Sequence, residues 1–237
     1  SFIVIFLYPY RGYKTSVNGI INLERQFGVK SIFYFLLGSK GRYGPRCKDL
    51  ETIELANSIP KEWDIGIHYN FDSFINAINL KKQINFLRIN TNREIICGRA
   101  HYFIFNLLKD TNHLKSNGIK VDESLAWNNC IGFRCGIAGP FLNKPYDKNN
   151  DILFLPTIFM DQVIWDDKNK VVFDKVYKHL IKVGGVASFL IHNDKFHNYE
   201  YPECFGKYYQ LLEMLHKDKI KYFTPIDIYN KYREIIN

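Results

Sequence analysis

Strand-length apolar runs that alternate with helix-patterned segments constrain this chain more than any other feature. "FIVIFLY" (2–8), "SIFYFLL" (31–37), "DIGIH" (64–68), "EIICG" (94–98), "IKVD" (119–122), "ILFLPTI" (152–158), "VASFLIH" (186–192) and "IKYFT" (220–224) read as strands. Between them lie segments with the spacing of amphipathic helices. In "TSVNGIINLERQFG" the stripe is Val17, Ile20, Ile21, Glu24 and Phe27, with Thr15 or Ser16 as N-cap and Gly28 closing the helix. "SFINAINLKKQINFL" repeats the pattern at Phe74, Ile78 and Leu87, and "CFGKYYQLLEMLHK" at Phe205, Tyr209, Leu212 and Leu215. "NLLKDTNHLKSNG", "VVFDKVYKHLIKVGG" and "TPIDIYNKYREII" are further helices, the last with Thr224 as cap and Pro225 in the first helical position. About seven apolar strands, mostly separated by helices, predict a parallel sheet buried on both faces. With no linker-like stretch and no repeat, the economical expectation is one barrel-like α/β domain over 1–237.

Charge and cysteine usage narrow the functional classes. The net charge is +8, but the lysines are scattered, with no run longer than "LKK" or "DKNK". No nucleic-acid partner is expected, although a basic α/β protein binding an anionic polymer is an alternative if folding gathers the charges on one face. The five cysteines form no CxxC pair, so neither a zinc ribbon nor a thioredoxin motif is indicated. Their odd number argues against a disulfide framework and favours a reducing, cytoplasmic setting. "SFIVIFLY" is too short to cross a bilayer, and because the chain starts on Ser1 directly in this run, upstream residues are expected to be missing.

In folds of parallel strands, polar residues at the C-terminal strand ends line the site. Those ends carry His68 with Asp72, Arg99 with His101 and Tyr102, Asp161, and His192 with Asp194. The irregular stretch 123–151 adds Trp127 and Arg134. Each has an ordinary structural alternative. Asp72 can cap the helix that follows it, the two arginines can pair with acids, His101 can be a buried, hydrogen-bonded ring, and Trp127 can be core. "GSKGRYGPR" is not a phosphate-cradling loop, since it lacks the GK[ST] ending.

The order of these pieces resembles the polysaccharide deacetylase (NodB-homology, carbohydrate esterase family 4) superfamily. "DIGIHYNFDSF" is similar to its His-x-x-x-His metal motif, "GRAHYF" to its arginine motif and "SFLIHND" to the motif ending in the acid histidine. "GVKSIFYFLLG" and "GFRCGIAGPF" are similar to further segments of such proteins. The resemblance implies a distorted (β/α) barrel of about seven parallel strands and a carbohydrate ligand; members are also exported. It implies metal-dependent hydrolysis of an N-acetyl or O-acetyl group on a sugar, with zinc the expected ion. Such a metal acidifies bound water, an acid–base pair moves the protons, and zinc takes about three protein ligands.

Carried over by residue, His68 and Asp72 would hold the metal, Arg99 would orient the base, and His192 would be the acid; His101 is a further metal ligand that the sequence offers. Asp161 and Asp194 are candidate substitute bases, and Trp127, Arg134 and Tyr102 would bind the sugar. Two departures matter. Asp72 stands in the place of the second metal histidine, and "FLYPYRGYK" lacks the pair of Asp residues that supplies a base and a ligand after the first strand. A tyrosine, with its pKa of about 10, does not replace that base. These departures predict weak metal binding and little or no acetate release, and they leave open an inactive homologue that only binds a glycan.

Overall fold

The computed structural model describes residues 9–40, 44–45, 47–143, 151–196 and 203–236. The strand expected over 2–8 lies outside the described residues. Helix α1 (Pro9–Phe27) is followed by β1 (Ile32–Leu36), α2 (Asp49–Ser58), β2 (Asp64–Tyr69), α3 (Phe71–Ile75), α4 (Ala77–Thr91) and β3 (Cys97–Ala100). Next come α5 (Leu107–Ser116), β4 (Val121–Asp122), β5 (Phe141–Leu142), β6 (Leu153–Phe154), β7 (Thr157–Met160) and α6 (Asp161–Ile164). The series ends with α7 (Lys170–Val183), β8 (Ser188–Leu190), α8 (Cys204–Lys217) and α9 (Pro225–Ile236).

Among the described residues six strands form a sheet in the order β1-β2-β3-β4-β6-β5, and β7 pairs with β8 separately. All pairings are parallel except β5 with β6. Register places Leu36 beside His68 and His68 beside Arg99. In "DIGIH", Ile65 and Ile67 turn to the helix-covered core with Phe35 and Leu87, while His68 shares the opposite face with Arg99. A strand glycine makes room for a large ring on each face, Gly66 on that of His68 and Gly98 on that of Ile67. A Cβ on Gly66 would meet the Tyr34 ring and the Cys97 carbonyl, and one on Gly98 would meet the Tyr69 ring.

Several boundaries differ from the sequence expectation. Helix α1 starts at Pro9, so "PYRGYK" is helical rather than a turn, and Thr15 and Ser16 lie inside the helix instead of capping it. Proline suits the first turn because no intrahelical partner awaits its missing N–H. "SFINAINL" is broken at Asn76, whose extended backbone and side chain, accepting from Ile78 N at 2.9 Å, start a new helix. The buried face of α4 is Leu80, Ile84 and Leu87, while Ile78 is exposed. Tyr209 of α8 is likewise exposed, its buried place taken by Tyr208. "ILFLPTI" is two strands in two sheets, parted at Pro156, which has no N–H to donate to a ladder. "IKYFT" forms no strand. At its end Asp227 N donates to Thr224 Oγ1 while Thr224 N donates to the Asp227 carboxylate, a reciprocal cap for α9. No helix among the described residues is long and apolar enough to cross a membrane.

Candidate active site

His68 sits at the C-terminal end of β2 with Nδ1 2.8 Å from the Arg99 carbonyl oxygen. A carbonyl can only accept, so Nδ1 carries the proton and Nε2 keeps its lone pair. Burial, followed by the neighbouring positive charge of His101, pushes the His68 pKa down to about 3, so the ring is neutral near pH 7. The His101 ring lies 4.9 Å from it, centroid to centroid, and 4.4 Å from the ring of Tyr102. Tyr102 and Phe103 both have left-handed backbones, φ 54° and 52°. Bulky side chains rarely adopt this conformation, and here it leaves the Tyr102 ring half exposed, 6.0 Å from that of Phe71.

The loop that carries these rings is held by Arg134. Its guanidinium donates to the carbonyls of Phe103 at 3.0 Å, Ala126 at 3.2 Å and Phe105 at 3.2 Å. Trp127, 45% exposed, has its ring 5.8 Å from that guanidinium. Arg134 is therefore committed to backbone, and Trp127 and Tyr102 are the exposed aromatic surfaces of this part of the molecule.

Asp161 follows β7 and is fully buried. One carboxylate oxygen accepts from the His192 backbone N–H at 2.8 Å; the other is 2.8 Å from His192 Nδ1 and also accepts from Gln162 N at 2.7 Å. This pairing places the Nδ1 proton toward the carboxylate and leaves Nε2 as the working nitrogen of a partly exposed ring. Asp194 lies in the short turn after His192, and its Oδ1 is buried without a hydrogen-bond partner among the described residues.

Arg99 projects from β3 beside His68 and pairs with Glu123 at 3.1 Å, both side chains almost wholly buried. Glu123 also accepts from Tyr34 OH and from Ser188 Oγ, each at 2.5 Å. The carboxylate thus joins β1, β3 and β8 from just beyond β4. Glu123 was not singled out in the sequence, although it directly follows the strand "IKVD", where the strand-end rule applies. His68, Arg99, Glu123, Ser188 and His192 line one cavity of about 730 Å³.

Asp72 is engaged elsewhere. Its oxygens accept from Ser39 N at 3.1 Å, Ser39 Oγ at 2.6 Å and Gln83 Nε2 at 2.8 Å, and it stands in the first turn of α3, whose cap is Asn70. Among the described residues no three His, Cys, Asp or Glu side chains come together as a set that could hold a metal ion. The described donors therefore fall short of the three ligands that zinc takes; of the expected set, the imidazoles of His68 and His101 are neighbours.

No family model matches the chain, and no curated protein does. The fold has a counterpart among solved structures. One titled "Crystal structure of putative polysaccharide deacetylase from Mycobacterium smegmatis" superposes with a TM-score of 0.58 over 89% of this chain and 80% of that one, at 15% identity. The class that fold and site define is an α/β protein with a mostly parallel central sheet of the kind found in that deacetylase-like structure. At this identity the likeness is one of fold.

Proposed function

We propose that the protein is a carbohydrate-active hydrolase that removes an acyl group, N-acetyl or O-acetyl, from a sugar bound over the cavity. The observation that carries this reading is the Asp161–His192 pair at the C-terminal ends of β7 and β8. When the ring is doubly protonated, a buried carboxylate that holds one imidazole N–H presents the other as a proton donor to a leaving group. The mostly parallel strand order supports the same reading, and so does the fold shared with the deacetylase-like structure; the distorted barrel of about seven strands belongs to this proposal. Tyr102 and Trp127 supply exposed apolar faces on which a pyranose ring would stack.

Water attacks the acyl carbon, and as the bond to the sugar breaks, His192 Nε2 gives its proton to the leaving nitrogen or oxygen. Arg99 and the His68 Nε2 lone pair lie on the same wall and order the polar end of the acyl group or its water. A divalent ion at the His68–His101 pair would supply Lewis-acid chemistry, but the described residues do not complete its shell and no step here depends on it. The test is acetate release from N-acetylated chito-oligosaccharides. Turnover that disappears in His192→Ala supports the proposal, and a wild-type chain that binds the oligosaccharide without releasing acetate refutes it. That second outcome is the binding-only reading, which the incomplete set of metal donors favours.

A further inference from the structure

We propose that Glu123 is the general base of this site, the carboxylate that takes a proton from the attacking water; the inference rests on the acyl-hydrolase reading above. Hydrolysis with His192 as acid requires a proton acceptor on the other side of the scissile bond, and "FLYPYRGYK" has no carboxylate. Of the other acids near the strand ends, Asp194 does not line the cavity and three are occupied. Asp161 is taken up by His192 and Gln162, Asp72 by Ser39 and Gln83, and Asp122 by Ser124 N and Oγ at 2.9 Å each. Glu123 shares the cavity wall with His68 and His192. Its Oε2 holds Tyr34 and Arg99, whereas Oε1, among the described residues, receives a single hydrogen bond, from Ser188, and keeps a lone pair for water.

A second observation points to an oxygen bound beside it. Arg99 Nε is buried on the same wall and has no hydrogen-bond partner among the described residues. A buried N–H left without an acceptor is costly, so a water or an acyl oxygen at this position would satisfy it. In the step, the water O–H bond breaks and its proton passes to Glu123 Oε1, while the water oxygen bonds to the acyl carbon. The C–N bond to the sugar then breaks, and the amine leaves with the proton from His192 Nε2. Acetic acid and the free amine are the products, and exchange with bulk water returns Glu123 and His192 to their starting protonation.

The experiment compares the full chain with Glu123→Gln and Glu123→Ala on N-acetylated chito-oligosaccharides, with acetate release and the thermal midpoint followed together. Glu123→Gln should lose about 10²- to 10⁴-fold in kcat with little change in KM. Added formate should restore part of the lost rate in Glu123→Ala by entering the vacated space. If Glu123→Gln fails to fold, Glu123→Asp keeps the charge while withdrawing the carboxylate by one methylene, and its kcat should fall by about tenfold or more. Wild-type kcat in a folded Gln or Asp variant would overturn the assignment and leave Glu123 as a buried cross-link between strands. Absence of turnover in the wild-type chain would overturn the hydrolase reading and this assignment with it.

Discussion

At Asp161 two carboxylate oxygens serve two donors of one residue, the backbone N–H and Nδ1 of His192. Asparagine offers only one acceptor oxygen, so Asp161→Asn must either abandon the backbone N–H or turn the imidazole to its other tautomer. We expect kcat to fall by about 10²-fold or more with the fold retained. Steady-state rates together with the ¹⁵N shifts of His192 would check this, and an unchanged tautomer with unchanged kcat would contradict it. Asp122 allows a pH test. Burial pushes its pKa up to about 7, against the hydrogen bonds from Ser124 and Tyr69. Between the ordinary carboxylate range and that value the folded chain holds a proton that the unfolded chain has released. The contribution of Asp122 to stability is thus full below about pH 4 and is lost as pH rises through about 7. Urea midpoints compared across this window should show a steeper decline in the wild type than in Asp122→Asn, and parallel curves would contradict the assignment.

At the scale of elements, the segment from β3 to α5 is shaped by a strained turn and by the clamp that holds it. Tyr102 and Phe103 would relax from their left-handed backbone if the carbonyls of Phe103, Phe105 and Ala126 were not gathered by Arg134. Lysine carries charge to the same place but lacks the planar fork that reaches three carbonyls at once. Arg134→Lys should destabilise the fold by about 1–3 kcal/mol for each buried carbonyl left unpaired. It should also weaken oligosaccharide binding through the displaced Tyr102, since three of the five N–H donors of Arg134 serve the backbone that positions that ring. Calorimetric titration and denaturation of the same sample would separate the two effects. Full stability in the lysine variant would show that the clamp is dispensable.

For the whole molecule, the join between helices and sheet runs through Glu24. This buried side chain in α1 accepts from Trp63 Nε1 at 2.6 Å, Tyr208 OH of α8 at 2.7 Å and Ser31 Oγ at 3.1 Å. Burial raises its pKa against those hydrogen bonds. Replacement by alanine deserts two buried donors, and each costs about 1–3 kcal/mol. Glu24→Ala should therefore lower stability more than an exposed change such as Glu54→Ala, for which about 0.5 kcal/mol is typical. Equal urea midpoints for the two variants would remove Glu24 from this role. The metal question also belongs to this scale, because the donors stand on separate strands. Zinc should bind weakly and be stripped by dialysis against a chelator, since structural sites worth about 10–16 kcal/mol use a full ligand set. Retention of zinc through that dialysis would show a complete shell.

What the sequence by itself determined is the alternation of strand and helix. The period-two pattern of "DIGIH" put Ile65 and Ile67 in the core and His68 on the opposite face, and Thr224 with Pro225 marked the start of α9. These signals are local, because side-chain direction repeats along a single element and a cap lies within one turn of its helix. The break of "ILFLPTI" at Pro156 was half visible, since proline marks the interruption but does not say that the two pieces enter different sheets. The partners of the polar groups were decided only by tertiary structure. Asp72 meets Ser39 across 33 positions, Arg99 meets Glu123 across 24, and Ser188 meets Glu123 across 65. A buried charge takes whichever donors the neighbouring strands bring to it, and strand adjacency is a property of the folded sheet that no local pattern of residues encodes.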